Sequence, residues 1–99
     1  MKKKVGIAGF GVVGKRRCEF INKRNDMEVV SVCDQTFTGS GTLSSGIKYF
    51  QNYQQLISDG IDILFVCISN DMAAEITIAG LESGLHIFCE KPPSRNLEE

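Results

Sequence analysis

The chain has 99 residues, eleven basic and twelve acidic side chains, and a formal net charge of −1 at pH 7. That length suits one domain, residues 1–99, with a small core, and so even a charge balance gives no field that would draw in nucleic acid or an anionic membrane. Hydrophobic residues make up 42% and charged residues 23%, the composition of an ordinary soluble globular protein.

Met1-Lys2-Lys3-Lys4 and the apolar run after it resemble the start of a signal peptide. Four glycines interrupt the run, and Lys15-Arg16-Arg17 follows at once, which spoils the helical core such a peptide needs. No stretch approaches the roughly 18 apolar residues of a membrane span, so a cytoplasmic location is expected.

Lys4 to Gly9 reads as a short strand and Val12 to Arg24 as a helix, with Val13, Gly14, Cys18, Phe20 and Ile21 on its inner side. Glu28 to Cys33 is a second strand, rich in β-branched residues. Gln35 to Gly46 holds three glycines and six hydroxyl residues and reads as a loop. Ile47 to Phe50 is a short strand, and Asn52 to Ser58 a short helix ended by Asp59-Gly60. Ile61 to Ile68 is continuously apolar from Ile63, as expected of a parallel strand covered on both faces. Asn70 or Asp71 caps a helix running to about Ser83, with Met72, Ala73, Ile76, Ala79 and Gly80 at helical spacing and Gly84 as its stop. Leu85 to Cys89 is a fifth strand. Strands alternating with helices predict a Rossmann-type, doubly wound parallel α/β sheet of about five strands.

Cys18, Cys33, Cys67 and Cys89 lie at least fifteen positions apart. That is no metal-ligand spacing, so no metal is expected and the four read as free, buried thiols in a reducing compartment. His86, the only histidine, enters a strand and reads as structural.

Gly9-Phe10-Gly11-Val12-Val13-Gly14 matches G-x-G-x-x-G between a predicted strand and a predicted helix. Gly9 permits the tight turn, Gly11 lets backbone approach a pyrophosphate, and Gly14 lets the helix pack close to the sheet. The helix N-terminus offers free N–H groups to the phosphates. Asp34 stands at the end of the second strand, twenty residues beyond Gly14, the spacing of the acid that accepts hydrogen bonds from the adenosine ribose. A carboxylate there repels a 2′-phosphate, and the neighbouring Gln35 supplies no arginine to bind one, so NAD is preferred to NADP. Lys15, Arg16 and Arg17 read as a solvated basic face.

Glu90-Lys91-Pro92 follows the fifth strand, preceded by Ala79-Gly80-Leu81-Glu82-Ser83-Gly84-Leu85-His86-Ile87. Together with the glycine loop, Asp34 and the apolar strand from Ile61, these segments make the whole chain resemble the N-terminal domain of the glucose–fructose oxidoreductase, inositol dehydrogenase and MocA family. The resemblance implies a two-domain enzyme that moves hydride between NAD(P) and a carbon of a sugar, cyclitol or sugar nucleotide. Substrate is held by a C-terminal domain missing from this chain, and the isolated chain is expected to be inactive. It implies that Lys91 is catalytic, facing the nicotinamide and the reacting oxygen, that Glu90, Lys91 and Pro92 line the cofactor, and that the Lys91–Pro92 bond is cis. Ile68-Ser69-Asn70 stands where many members have Thr-Pro-Asn and still lines the nicotinamide ribose, while Ala73 replaces a histidine. The loop from Gln35 to Gly46 replaces the family's second helix, which bears on the adenine-side contacts.

Two other readings stand beside this one. A stand-alone, non-catalytic dinucleotide-binding module fits the chain's length, although Glu90-Lys91-Pro92 argues against it. A different nucleotide-bearing ligand fits the fold, although Asp34 argues for a free adenosine ribose. A domain without its partner half exposes apolar surface, which favours association into homo-oligomers.

Overall fold

The structure, a computed structural model, describes residues 2–68 and 72–89. Strand β1 (Lys3–Ala8) directs Val5 and Ile7 to one face of the sheet and Ala8 to the other. Helix α1 (Val12–Asn22) follows and buries Gly14, Cys18 and Ile21. These lie at i, i+4 and i+7, one narrow stripe. Val13 and Phe20, expected on the inner side, are exposed, because each precedes a stripe residue and is rotated about 100° from it. The helix stops at Asn22, two residues before the expected Arg24. There the Asn22 side chain accepts a hydrogen bond from the Val29 N–H at 3.0 Å and ties the helix end to the next strand.

Strand β2 (Met27–Cys33) pairs in parallel with β1. Its register slips by one residue between Val5↔Val29 and Gly6↔Ser31, leaving Val30 unopposed as a bulge. The slip lets Val29 and Val32 serve one core while Val30 and Cys33 serve the other.

The predicted loop after β2 contains a sixth strand, β3 (Gly41–Thr42), which pairs antiparallel with β4 (Lys48–Phe50). The turn between them is closed by Leu43 N–H to the Ile47 carbonyl at 2.8 Å, with Gly46 at φ +92°. No helix lies between β2 and β4 in the chain. Phe37 and Leu43 from the loop pack on the core instead, and the Phe37 ring lies 4.8 Å from Tyr49.

Helix α2 (Tyr53–Ile57) begins at Asn52, whose side chain accepts the Gln55 N–H at 2.9 Å, a standard N-cap. Strand β5 (Ile63–Val66) is shorter than the expected Ile61 to Ile68, with Ile61 and Ile68 packing from its flanks. Helix α3 (Met72–Glu82) ends at Gly84, φ +80°, where Leu85 N–H reaches back to the Gly80 carbonyl at 3.0 Å. Strand β6 (His86–Cys89) closes the described chain.

The sheet order is β3-β4-β2-β1-β5-β6. Every pairing except β3–β4 is parallel, so the doubly wound expectation holds with one antiparallel edge. Ile7, Ile21 and Val32 centre the core under α1, and Leu56, Leu64 and Ile76 the core under α2 and α3. The chain runs outward from β1 through β2 to β4, then returns to β5 on the other side of β1. The strand order therefore reverses between β1 and β5, and the crevice at the carboxyl ends of those strands is where ligands bind in such sheets.

Cys18 and Cys33 are buried, Cys67 is half-buried and Cys89 is exposed. The expectation that all four are buried is met only in part at Cys67 and fails at Cys89, which lies on β6, an edge strand among the described residues. His86 is exposed on the same strand, and its backbone N–H donates to the Asp62 carbonyl at 3.2 Å.

Candidate functional site

The three loop glycines are required by three different surroundings. Gly9 has φ +97°, and a Cβ there would lie 2.8 Å from the Cys67 carbonyl oxygen and 2.6 Å from Ile68 Cγ1. At Gly14 a Cβ would lie 2.0 Å from the Gly9 carbonyl oxygen, so the first turn of α1 rests directly on the loop that precedes it. Gly11 is unlike both: among the described residues, its chain neighbours aside, nothing lies within 4 Å of a Cβ placed there, and its φ of −84° suits any residue. Packing within the domain therefore gives no reason for glycine at position 11. Gly11 is the N-cap of α1 and supplies no side chain to the first-turn N–H groups, which leaves those donors available to an anion.

The exit of β2 meets this loop. Gly9 N–H donates to the Cys33 carbonyl at 2.8 Å, and Phe10 N–H donates to Asp34 Oδ2 at 2.7 Å. Asp34 Oδ1 accepts from the Thr36 N–H at 2.9 Å and from Thr36 Oγ1 at 2.8 Å. Partial burial would raise the Asp34 pKa. The Thr36 and Phe10 N–H groups, the Thr36 hydroxyl and the nearby Lys15 ammonium outweigh that and hold it below the usual carboxylate value. Asp34 is therefore an anion at neutral pH. Lys15, expected only as part of a solvated face, has its ammonium 5.9 Å from the centre of the Phe10 ring.

A cleft of about 340 Å³ opens beside Asp34, between the carboxyl ends of the strands and helices α2 and α3. Gly9, Asp34 and Ile68, three of the predicted site residues, line it. Phe10, Gly11, Val12, Val13 and Gly14 are not among its walls. They form the loop and the first turn of α1, with Val12 72% exposed. Ser69, Asn70, Glu90, Lys91 and Pro92 lie outside the described residues, as does the Lys91–Pro92 peptide bond.

The amino-acid sequence matches, over residues 3–99, the profile of the family described as "Oxidoreductase family, NAD-binding Rossmann fold". The chain belongs to this family. It is 32% identical over 101 residues to the D-glucoside 3-dehydrogenase of Escherichia coli, covering 97% of this chain and 29% of that protein. It is 30% identical over 98 residues to the inositol 2-dehydrogenase of Salmonella typhimurium, covering 93% and 29%. The crystal structure of an NAD-binding protein from Listeria innocua superposes with a TM-score of 0.75 at 26% identity, covering 99% of this chain and 30% of that one. The chain thus spans about three-tenths of the length of these relatives.

As an NAD-binding Rossmann domain, the chain offers the cofactor a fitting set of groups. Gly11 leaves backbone open at the start of α1, and Asp34 is an ionised acceptor at the end of β2. Gln35, a neutral side chain, lines the cleft next to Asp34. Sequence reasoning missed the far wall of the cleft, which includes Gln51, Tyr53, Met72 and Glu75. The Tyr53 hydroxyl donates to Glu75 Oε2 and joins α2 to α3, and this bond to Glu75 pushes the phenol pKa up. Position relative to β4 was the available signal, because residues just past a parallel strand's carboxyl end face the crevice. Among the described residues no helix is long and apolar enough to cross a membrane.

Proposed function

We propose that the protein is an NAD-dependent dehydrogenase that transfers hydride between the nicotinamide and a hydroxyl-bearing carbon of a sugar, cyclitol or sugar nucleotide. Substrate is held by a further domain outside these 99 residues. The observation that carries the reading is the pairing of an open Gly11 at the N-terminus of α1 with an ionised Asp34 held against the same loop. The relatives named as a glucoside dehydrogenase and an inositol dehydrogenase support the substrate class.

Bound NAD supplies the hydride acceptor. The protein's part is to hold the dinucleotide and to manage the proton that an alcohol releases along with its hydride. Asp34 accepts from the adenosine ribose, and the first-turn N–H groups of α1 hold the pyrophosphate. By the family resemblance, Ser69 and Asn70 line the nicotinamide ribose. On the same ground Lys91, set by Glu90 and Pro92, takes the substrate's hydroxyl proton. A lysine beside a cationic ring and partly desolvated ionises less readily, which suits it to that transfer.

The protein works in the cytoplasm, consistent with four free cysteines. Its partner is a small molecule, neither nucleic acid nor membrane. Exposed Ile78, Leu81 and Phe88 favour self-association of the 99-residue chain; a monomer on gel filtration would count against that point alone.

Calorimetric titration with NAD and NADP, in the wild type and in Asp34→Ala, tests the cofactor reading. NAD is expected to bind more tightly than NADP, and the variant to weaken NAD. No binding of either dinucleotide would overturn it. Lys91→Met in the full-length protein is expected to lower kcat with little change in NAD affinity.

A further inference from the structure

An ionised carboxylate has two oxygens and about four acceptor positions. Three of the four on Asp34 are already occupied by this chain. Oδ1 takes both the N–H and the hydroxyl of Thr36, and Oδ2 takes the Phe10 N–H. Among the described residues one acceptor position remains, on Oδ2, and Asp34 lines the cleft together with Gly9 and Gln35. Turning the carboxylate away would break all three bonds at once.

We infer that Thr36 is a positioning residue for cofactor choice, because its hydroxyl supplies the one side-chain bond among the three that hold Asp34 in the rotation offering a single acceptor to a ribose hydroxyl. This rests on the reading that the site binds NAD. A ribose with a free hydroxyl donates into the remaining position. A 2′-phosphate meets the same oxygen as a second anion, and a locked carboxylate cannot swing aside to relieve the repulsion. Discrimination therefore depends on how firmly Asp34 is held as well as on its charge. The Phe10 bond adds a second consequence: the ribose acceptor and the glycine loop are fixed to each other at a set spacing.

Thr36 is exposed, so its side chain has no core to support, and Thr36→Val removes the hydroxyl while keeping the branched shape and the backbone N–H. Thr36→Ser keeps the hydroxyl. NAD and NADP dissociation constants are measured for both variants and the wild type. Thr36→Val is expected to weaken NAD about fivefold, somewhat less than a full tenfold step of binding energy, and to leave NADP unchanged or tighter. The NAD/NADP preference then falls by at least that factor, and Thr36→Ser restores it. An unchanged preference in Thr36→Val, whether from no loss or from equal loss for both dinucleotides, would overturn the inference while leaving the NAD reading intact. A wild type that binds neither dinucleotide would overturn both.

Discussion

Replacing Gly11 with alanine adds one methyl group at a point where, among the described residues and its chain neighbours aside, nothing lies within 4 Å. The backbone there has φ −84° and ψ −153°, extended and open to any residue. Two small effects on stability oppose each other. Alanine restricts the unfolded chain, worth about 0.4–1 kcal/mol in favour of folding. It is also a poorer N-cap than glycine, by roughly 0.5–1 kcal/mol. The net change is expected to stay within about 1 kcal/mol, a shift in Tm of no more than roughly 8 °C for a domain of this size. Binding should respond quite differently. The methyl occupies the space through which a pyrophosphate reaches the first-turn N–H groups. Losing one or two charge-assisted hydrogen bonds, each worth about 1.5–3 kcal/mol, weakens NAD by at least about tenfold. Gly14→Ala is the counterpart. Its Cβ would stand 2.0 Å from the Gly9 carbonyl oxygen, and backbone must move to admit it. Overpacking of this kind costs about 1–3 kcal/mol or more, against a helix-propensity gain of at most about 1 kcal/mol. Thermal melts and calorimetric titrations of the two variants should therefore split, with Gly11→Ala folded but poorly binding and Gly14→Ala impaired in both. Wild-type NAD affinity in Gly11→Ala would refute the assignment of a phosphate to that space, and wild-type stability in Gly14→Ala would refute the close helix contact.

Asp34→Asn should destabilise the fold by about 1–2 kcal/mol, the low side of a hydrogen bond to a charged group because the site is partly exposed. Since the Asp34 pKa is lowered in the folded state, its contribution is present above the unfolded value of about 4 and is lost as pH falls through the folded value. The stability gap between wild type and variant, followed by urea melts, should close on acidification below about pH 4; a pH-independent gap would contradict it. Burial pushes the Cys33 thiol up to about 12, so native protein treated with iodoacetamide at pH 8 should carry label on exposed Cys89 well before Cys33, as peptide mass spectrometry would show. Leu64→Ala, in the core under α3 and fully buried, should cost about 2–5 kcal/mol in chemical denaturation, and a loss below 1 kcal/mol would refute its placement.

The parts of the fold legible in the sequence are those that one residue type enforces locally. Gly9 needs a positive φ, Gly84 stops a helix, Asn52 caps one, and the apolar run at Ile63–Val66 needs cover on two faces. Asp34 was legible because its distance from the glycine loop is set by one strand-helix-strand unit. What escaped depends on contacts between segments distant in sequence. Phe37 and Leu43 replace a helix as cover for the sheet, and nothing in a serine- and glycine-rich stretch announces that. Tyr53 and Glu75 meet only because α2 and α3 lie side by side. Val13 and Phe20 each stand one position before a stripe residue, which on a helix is enough to turn a side chain from core to solvent.

The antiparallel hairpin at β3 and β4 has a consequence for the two margins of the sheet. On that side the last strand is two residues long and begins with a glycine, so it offers almost no backbone on which a neighbouring chain could template itself. On the opposite side β6 presents four residues, with Phe88 53% exposed and stacked on Phe65 at 5.0 Å. Among the described residues nothing lies beyond it. Among the described residues the two margins therefore differ in their capacity to accept a further strand: one ends in its own short hairpin, while the other offers the four-residue edge of β6.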